Sequence, residues 1–361
     1  MNTTLSPTSI TGTVPDGGID PSGLSTISVT YSPGSNRREA LALETHRVSK
    51  AVLVNHRPPI FLDDNIIGYG GLGVVVKGTT ILSTEDLLLG EYALAIKIPF
   101  FEFVDGKDPH SNEAHLRRFQ REVTLCSQLR RDLKRRGTGL ERNVVDCCRD
   151  GFFGPILYGG KEYRIRWGAF EYVEGTDLRK VTLESIRQLP EYVIPICDVL
   201  KVAHEEGMIH RDIKPTNILV DRAGVVKITD FGLARRISYH GPLHSPVGTP
   251  GFAPPEQLRE GTWVDGRGDI FSLGGLMYYM ATKRVAYGSN ALAMYVLGEQ
   301  PLPAIIPPKE FNREIPDVLN DVIMHALVYD PRERIPTITE LKSRLEAVFP
   351  KEVRLLGEKR Y

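Results

Sequence analysis

Gly68-Tyr69-Gly70-Gly71-Leu72-Gly73 sets three glycines at G-x-G-x-x-G spacing, and missing side chains let backbone N–H groups approach phosphate oxygens. Alone, that spacing is equally an ordinary glycine-rich hairpin. The residues that follow, Val74-Val75-Val76, are β-branched, which favours a hairpin over the strand-to-helix junction of a dinucleotide fingerprint. Downstream, Leu94-Ala95-Ile96-Lys97 places one cation at the end of an apolar run, where burial without an anion is costly. Glu122, within Phe119-Gln120-Arg121-Glu122-Val123, offers an internal carboxylate, and a nucleotide phosphate can share the same ammonium. Singly, such a lysine or helix glutamate is a solvated surface group; in this order they point to phosphate chemistry.

The elements that must position these residues follow from patterning. Short β-type runs from Leu62 to Ile67, Val74 to Val76 and Tyr92 to Ile98, separated by glycines and a polar Ser83-Thr84-Glu85-Asp86 turn, predict an antiparallel sheet. A charged helix follows, with Leu116, Phe119, Val123 and Leu129 near one face. After Phe170 amphipathic runs near 191–206, 269–281, 315–328 and 337–348 predict a mainly helical region. Strands early and helices late, without βαβ alternation, give an α+β fold in two lobes. Residues 1–48 open with an arm of mostly Ser, Thr, Gly and Pro, too poor in apolar material to offset chain entropy, and read as disordered in large part. The connectors around Ser83–Gly90 and Pro99–Asn112 look long, and Arg130 to Arg136 is a basic run that reads as a solvated helix extension.

Composition removes several classes. The chain has 361 residues with 45 Lys plus Arg against 45 Asp plus Glu, so no overall field draws it to nucleic acid or an anionic membrane. Cys126, Cys147, Cys148 and Cys197 lack the density of a disulfide scaffold and the paired spacing of a zinc site. Reduced thiols, the lack of a signal-peptide pattern and the lack of a run long enough to span a bilayer predict a soluble, cytoplasmic protein.

The densest signal is Ile209-His210-Arg211-Asp212-Ile213-Lys214-Pro215-Thr216-Asn217-Ile218-Leu219, followed by Lys227-Ile228-Thr229-Asp230-Phe231-Gly232. Here the chain resembles the eukaryotic-type serine/threonine protein kinase family, over roughly residues 61–348. The resemblance implies a bilobal protein-kinase-like fold: an antiparallel β-rich N-terminal lobe with one regulatory helix over 49–173, a larger mainly helical C-terminal lobe over 174–349, and a short charged tail over 350–361. It implies ATP and Mg²⁺ as cofactors and protein substrates as partners, while the charge balance and the lack of a long apolar run predict no specific nucleic-acid binding and no membrane span. By the same resemblance Asp212 accepts the substrate hydroxyl proton, with Lys214 beside it as in the serine/threonine class. Asn217 and Asp230 hold Mg²⁺, and Lys97 grips the α- and β-phosphates while paired to Glu122.

Phosphoryl transfer passes through a loose transition state with charge on oxygens, so positioning and cationic stabilisation are what the residue types must supply. The nucleotide site implied by the resemblance comprises Ile67, Gly68, Gly70, Gly73, Val75, Ala95 and Lys97. Phe170-Glu171-Tyr172-Val173 resembles the interlobe hinge, with Phe170 as gatekeeper, Glu171 and Val173 meeting the adenine edge, and Asp177 near the ribose. Phe231 and Gly232 complete the metal loop. Thr249, in Gly248-Thr249-Pro250, and Glu256 resemble the end of an activation segment in which Pro254 replaces an alanine. Asp269 resembles the start of a helix bracing the catalytic loop, and Arg334 the partner of Glu256. Arg211 resembles the arginine that receives an activation-loop phosphate, with Ser245 the favoured acceptor and Ser238 second. Leu72 stands where the glycine-loop tip commonly carries an aromatic residue. A catalytically silent scaffold and a small-molecule kinase are the competing readings; the former typically lacks Lys97, Asp212 or Asp230, the latter the Gly-Thr-Pro segment.

Overall fold

A computed structural model describes residues 8–12, 27–31, 52–53, 60–70, 73–84, 87–99, 113–158, 161–236, 248–288 and 290–350. Contacts divide the chain into two units, one of Met1–Phe119 with Asp146–Tyr172, the other of Gln120–Val145 with Val173–Tyr361. Residues 120–145, assigned from sequence to the N-terminal lobe, thus group with the second unit.

In the first unit, β1 (Thr8–Gly12) and β2 (Ile27–Tyr31) pair antiparallel. The reading of disorder therefore fails at these ten residues, where alternating β-branched side chains (Ile10, Ile27, Val29) supply strand propensity within a polar arm; the rest of the arm lies outside the described residues. The main sheet is six-stranded and antiparallel in the order β3-β4-β5-β6-β8-β7. Its strands are β3 (Val52–Leu53), β4 (Ile60–Gly70), β5 (Gly73–Thr84), β6 (Leu87–Pro99), β7 (Cys147–Tyr158) and β8 (Lys161–Glu171). The connector expected around Ser83–Gly90 is a long hairpin instead: β5 runs to Thr84, which pairs with Leu87. The expected Pro99–Asn112 connector falls outside the described residues apart from Pro99.

Because side chains alternate across a strand, register assigns two faces. Val76 pairs with Ile96, and Ile96 with Ala169; these are 3%, 0% and 0% exposed and form the apolar face with Leu94 and Trp167. The opposite face carries Val75 opposite Lys97, Lys97 opposite Gly168, and Ala95 opposite Phe170.

The helix α1 (Glu113–Arg135) buries Phe119, Val123, Leu129 and Leu133 along one side, as its periodicity predicts. The second unit is mainly helical: α2 (Leu189–Glu205), α3 (Gly266–Thr282), α4 (Ala291–Val296), α5 (Asp317–Ala326) and α6 (Ile338–Val348). The helix α3 is its core, buried almost continuously from Gly268 to Tyr278, as expected for a helix apolar all round. The short α4 was not legible in the amphipathic pattern. Small ladders frame the loops between helices: β9 (Gly175–Asp177), β11 (Ile218–Asp221) and β12 (Val226–Ile228) form one antiparallel sheet, and β10 (Met208–Ile209) pairs with β13 (Arg235–Arg236).

Candidate active site

These ladders fix both ends of two loops. Residues 210–217 run from β10 to β11, and residues 229–234 from β12 to β13. The Thr229 N–H donates to the Asn217 carbonyl (3.0 Å) and stitches the loops together. At the third strand, a Cβ on Gly175 would sit 1.9 Å from the Val220 carbonyl oxygen, so only glycine permits the β9–β11 approach. Of the three non-glycine residues at positive φ among those described, two lie in these loops: Arg211 (69°) and Asp230 (64°). Such backbone costs roughly 1–3 kcal/mol per residue and persists where its surroundings enforce it.

The Asp212 carboxylate is the centre of the cluster. Its Oδ2 accepts from Lys214 Nζ (2.6 Å) and Asn217 Nδ2 (2.9 Å), and its Oδ1 accepts from Thr249 Oγ1 (2.9 Å). The same lysine ammonium donates to Thr249 Oγ1 (2.6 Å), and Asn217 Nδ2 also donates to the Asp212 carbonyl (2.9 Å). A carboxylate offers about four lone-pair positions; these three donors leave one on Oδ1. The Asp212 N–H donates to His210 Nδ1 (3.3 Å), which makes Nε2 the protonated nitrogen that donates to the Thr229 carbonyl (3.2 Å). Phe231, 2% exposed, packs its ring 4.7 Å from that imidazole.

Asp269, in the first turn of α3 and 0% exposed, accepts the His210 and Arg211 N–H groups (2.9 and 2.8 Å) and meets His204 Nε2 at 2.8 Å. Burial pushes its carboxyl pKa up, but the His204 hydrogen bond and electrostatic attraction and the Arg211 N–H together hold it below the usual carboxylate range. His204 was not singled out from sequence. It lies on α2, 65 residues from its partner, and a lone histidine on an amphipathic helix carries no signal of its own.

Gln257, also missed, is fully buried and donates to the Arg211 carbonyl (2.7 Å). Glu256, next to it, meets Arg334 through two parallel bonds. Pro254, where an alanine was expected, sits at φ −70° and ψ 154°, the extended region that a residue before proline favours, so the substitution leaves the turn at 255–257 intact.

In the first unit the glycine motif is the β4–β5 hairpin, with Gly68 opposite Val75 and Gly70 opposite Gly73, and Ile67 half exposed at a register shift. This excludes the strand-to-helix alternative. Lys97 is 8% exposed and Glu122 3%, each a charge that burial makes dependent on an ionic partner. The Glu171 N–H donates to the Asp146 carbonyl (2.8 Å), so an adenine edge at this residue must be met by its carbonyl. Val173 follows β8 in open chain. Asp177 is gripped by Arg179 through N–H, Nε and Nη2, all at 2.9 Å, which lowers its pKa and leaves one Oδ2 lone pair toward a ribose.

The basic run divides. Arg130 donates to the Glu141 and Val144 carbonyls and Arg136 pairs with Glu205 and Glu206, while Arg131 and Lys134 are exposed. Gly232 lies in the turn at 231–233. Ser238, Ser245 and Leu72 fall outside the described residues.

The family model described as "Protein kinase domain" matches residues 161–345. A probable serine/threonine-protein kinase of Clostridium perfringens is 35% identical over 292 residues, covering 78% of this chain and 37% of the relative. Serine/threonine-protein kinase PrkC of Bacillus subtilis is 28% identical over 303 residues, 82% of this chain and 41% of the relative. The chain thus spans about two fifths of the length of the curated relatives it matches. Among solved structures, that of the CAK complex of Chaetomium thermophilum bound to ATP-γ-S matches with a TM-score of 0.58 at 19% identity, over 81% of this chain and 92% of that one. That likeness supports the α+β, bilobal kinase-like fold.

Proposed function

This chain belongs to the protein kinase family, and on that ground we propose that it is an active serine/threonine kinase, moving the γ-phosphate of ATP to Ser and Thr hydroxyls of proteins, itself included. The observation that carries the reading is the Asp212 carboxylate with one Oδ1 lone pair left open and its other positions held by Lys214, Asn217 and Thr249. A scaffold without activity has no need to hold a buried carboxylate, 8% exposed, with three donors aimed at it.

Asp212 receives the proton as the substrate oxygen bonds to the γ-phosphorus and the bond to the β–γ bridging oxygen breaks, its electron pair leaving on ADP. Lys214, bonded to both Asp212 and Thr249, orients the carboxylate and supports the serine/threonine assignment. Lys97, on the sheet face shared with Val75, Ala95 and Phe170, supplies the phosphate cation, and that face the adenine surface.

The donor set also fits Mg²⁺. Among the described residues no group of three or more His, Cys, Asp or Glu could cage a metal, and Mg²⁺ is characteristically held by one or two carboxylates plus substrate phosphates. Asp230 offers a carboxylate, and Asn217, its Nδ2 turned to Asp212 by two bonds, offers its amide oxygen. Bound there, the ion would neutralise charge developing on the transferring phosphoryl oxygens. The thiols of Cys126, Cys147, Cys148 and Cys197 support a reducing, cytoplasmic setting, and no helix among the described residues is long and apolar enough to cross a membrane.

Incubating the protein with γ-labelled ATP, Mg²⁺ and a serine peptide tests the reading. Transfer that Asp212→Asn slows by roughly 10²–10⁴ is expected; transfer indifferent to Asp212 overturns it.

A further inference from the structure

Beyond Thr249 lies a surface that phosphoryl transfer itself does not use. The Phe252 N–H donates to the Thr249 carbonyl (3.1 Å), and its ring meets Tyr279 of α3 edge-on, centroids 6.1 Å apart. The ammonium of Lys283 stands 5.5 Å from the centre of the Tyr279 ring and donates to the Val181 carbonyl, tying the end of α3 to the turn after β9. That turn carries Arg179 and Lys180. Arg284, next to Lys283, lies 4.3 Å over the Phe311 ring. All four cations are exposed. The carboxylate among them, Asp177, is paired with Arg179, so it does little to offset the other three charges.

We propose that Lys180, Lys283 and Arg284 receive Asp and Glu side chains of an extended substrate whose Ser or Thr is presented to Asp212, making acidic residues near the phosphoacceptor the preferred substrate class. The proposal rests on the kinase reading. Its warrant is continuity: Asp212, Thr249, Phe252, Tyr279 and Lys283 form an unbroken series of contacts within one unit, with Arg284 next to Lys283 in the chain and Lys180 on the turn to which Lys283 is tied. The whole chain has zero formal net charge, so a positive surface beside the phosphoacceptor loop is a local feature, not overflow from a basic protein. The Tyr279 and Phe311 rings hold Lys283 and Arg284 in position while both residues stay exposed. Polyanionic nucleic acid shares part of this chemistry, but it has no reason to lie in line with Asp212.

The test uses the full chain and three fluorescent serine peptides differing only in flanking Glu, Gln or Lys, read by phosphate transfer and by anisotropy. The expected result is about a tenfold preference for Glu over Gln, the yield of a few exposed charge pairs, shrinking with salt. The paired charge reversal Lys180→Glu with Arg284→Glu is expected to invert the order, with an unchanged melting temperature certifying the fold. Equal transfer to all three peptides overturns this inference and leaves the kinase reading standing. Transfer to none sinks that reading, and anisotropy then decides this one: selective binding of the Glu peptide upholds it, equal binding overturns it. Tighter binding of single-stranded RNA than of the Glu peptide, lost in the charge-reversed variant, reassigns the surface and overturns it as well.

Discussion

Arg334 meets Glu256 through two parallel bonds, Nη1 to Oε1 at 2.8 Å and Nη2 to Oε2 at 3.1 Å. Its remaining donors reach the carbonyls of Val328, Arg267 and Tyr329, so all five N–H groups are used while the side chain is 0% exposed. Satisfying every donor is what makes a buried guanidinium tolerable. Truncating it strands Glu256, 11% exposed, together with three carbonyls. Arg334→Ala is expected to cost about 3–5 kcal/mol, read as a lowered denaturation midpoint in urea. An unchanged midpoint would refute the account.

Gly248 holds φ at 116°, and a Cβ there would lie 2.6 Å from Gln257 Nε2 and 2.7 Å from the Ala253 Cβ. Gln257 is the residue that fixes the Arg211 carbonyl. Gly248→Ala therefore strains its own backbone, about 1–3 kcal/mol, and displaces a support of the loop at residues 210–217. Faster amide exchange over residues 210–217 is expected, with reduced transfer. Exchange confined to residues around 248 would show that the strain does not travel.

The Asp269 carboxyl is held below its ordinary pKa in the folded chain. In the unfolded chain it returns to about 3.9, so over the interval between the two values the unfolded state binds more protons and stability rises with pH. The contribution is fully present above the unfolded pKa and is lost as pH falls through the folded one. Asp269→Asn should then destabilise the protein most near neutrality and progressively less below about pH 4. A difference between the two proteins that stays constant from pH 7 to pH 3 would contradict the linkage.

Legibility followed contiguity. Asp212, Lys214, Asn217 and Asp230 could be found because the chemistry demands particular residue types within two short loops, and the resemblance rests on those same letters. His204 and Gln257 could not, since their partners stand 65 and 46 residues away and buried polar supports carry no local pattern. The common face of Val75, Ala95, Lys97 and Phe170 was implied by the resemblance alone, because these residues converge only through strand register, which long-range pairing decides. The strands at Thr8–Gly12 and Ile27–Tyr31 were overlooked because composition averages over short β-branched runs.

Thr249 separates orientation from mere packing at the Asp212 carboxylate. Its hydroxyl donates to Asp212 Oδ1 (2.9 Å) and accepts from Lys214 Nζ (2.6 Å), so one oxygen closes a ring of three groups. Thr249→Val keeps the shape and deletes both bonds, leaving Asp212 and Lys214 joined by their direct contact alone. A hydrogen bond to a charged group contributes about 1.5–3 kcal/mol, so kcat is expected to fall roughly 10- to 100-fold. Thr249→Ser retains the hydroxyl and should recover most of that loss. The nucleotide KM should change little in either variant, because neither bond involves a residue assigned to the nucleotide. If valine and serine prove equally impaired, the methyl group rather than the hydroxyl matters, and Thr249 packs without orienting Asp212.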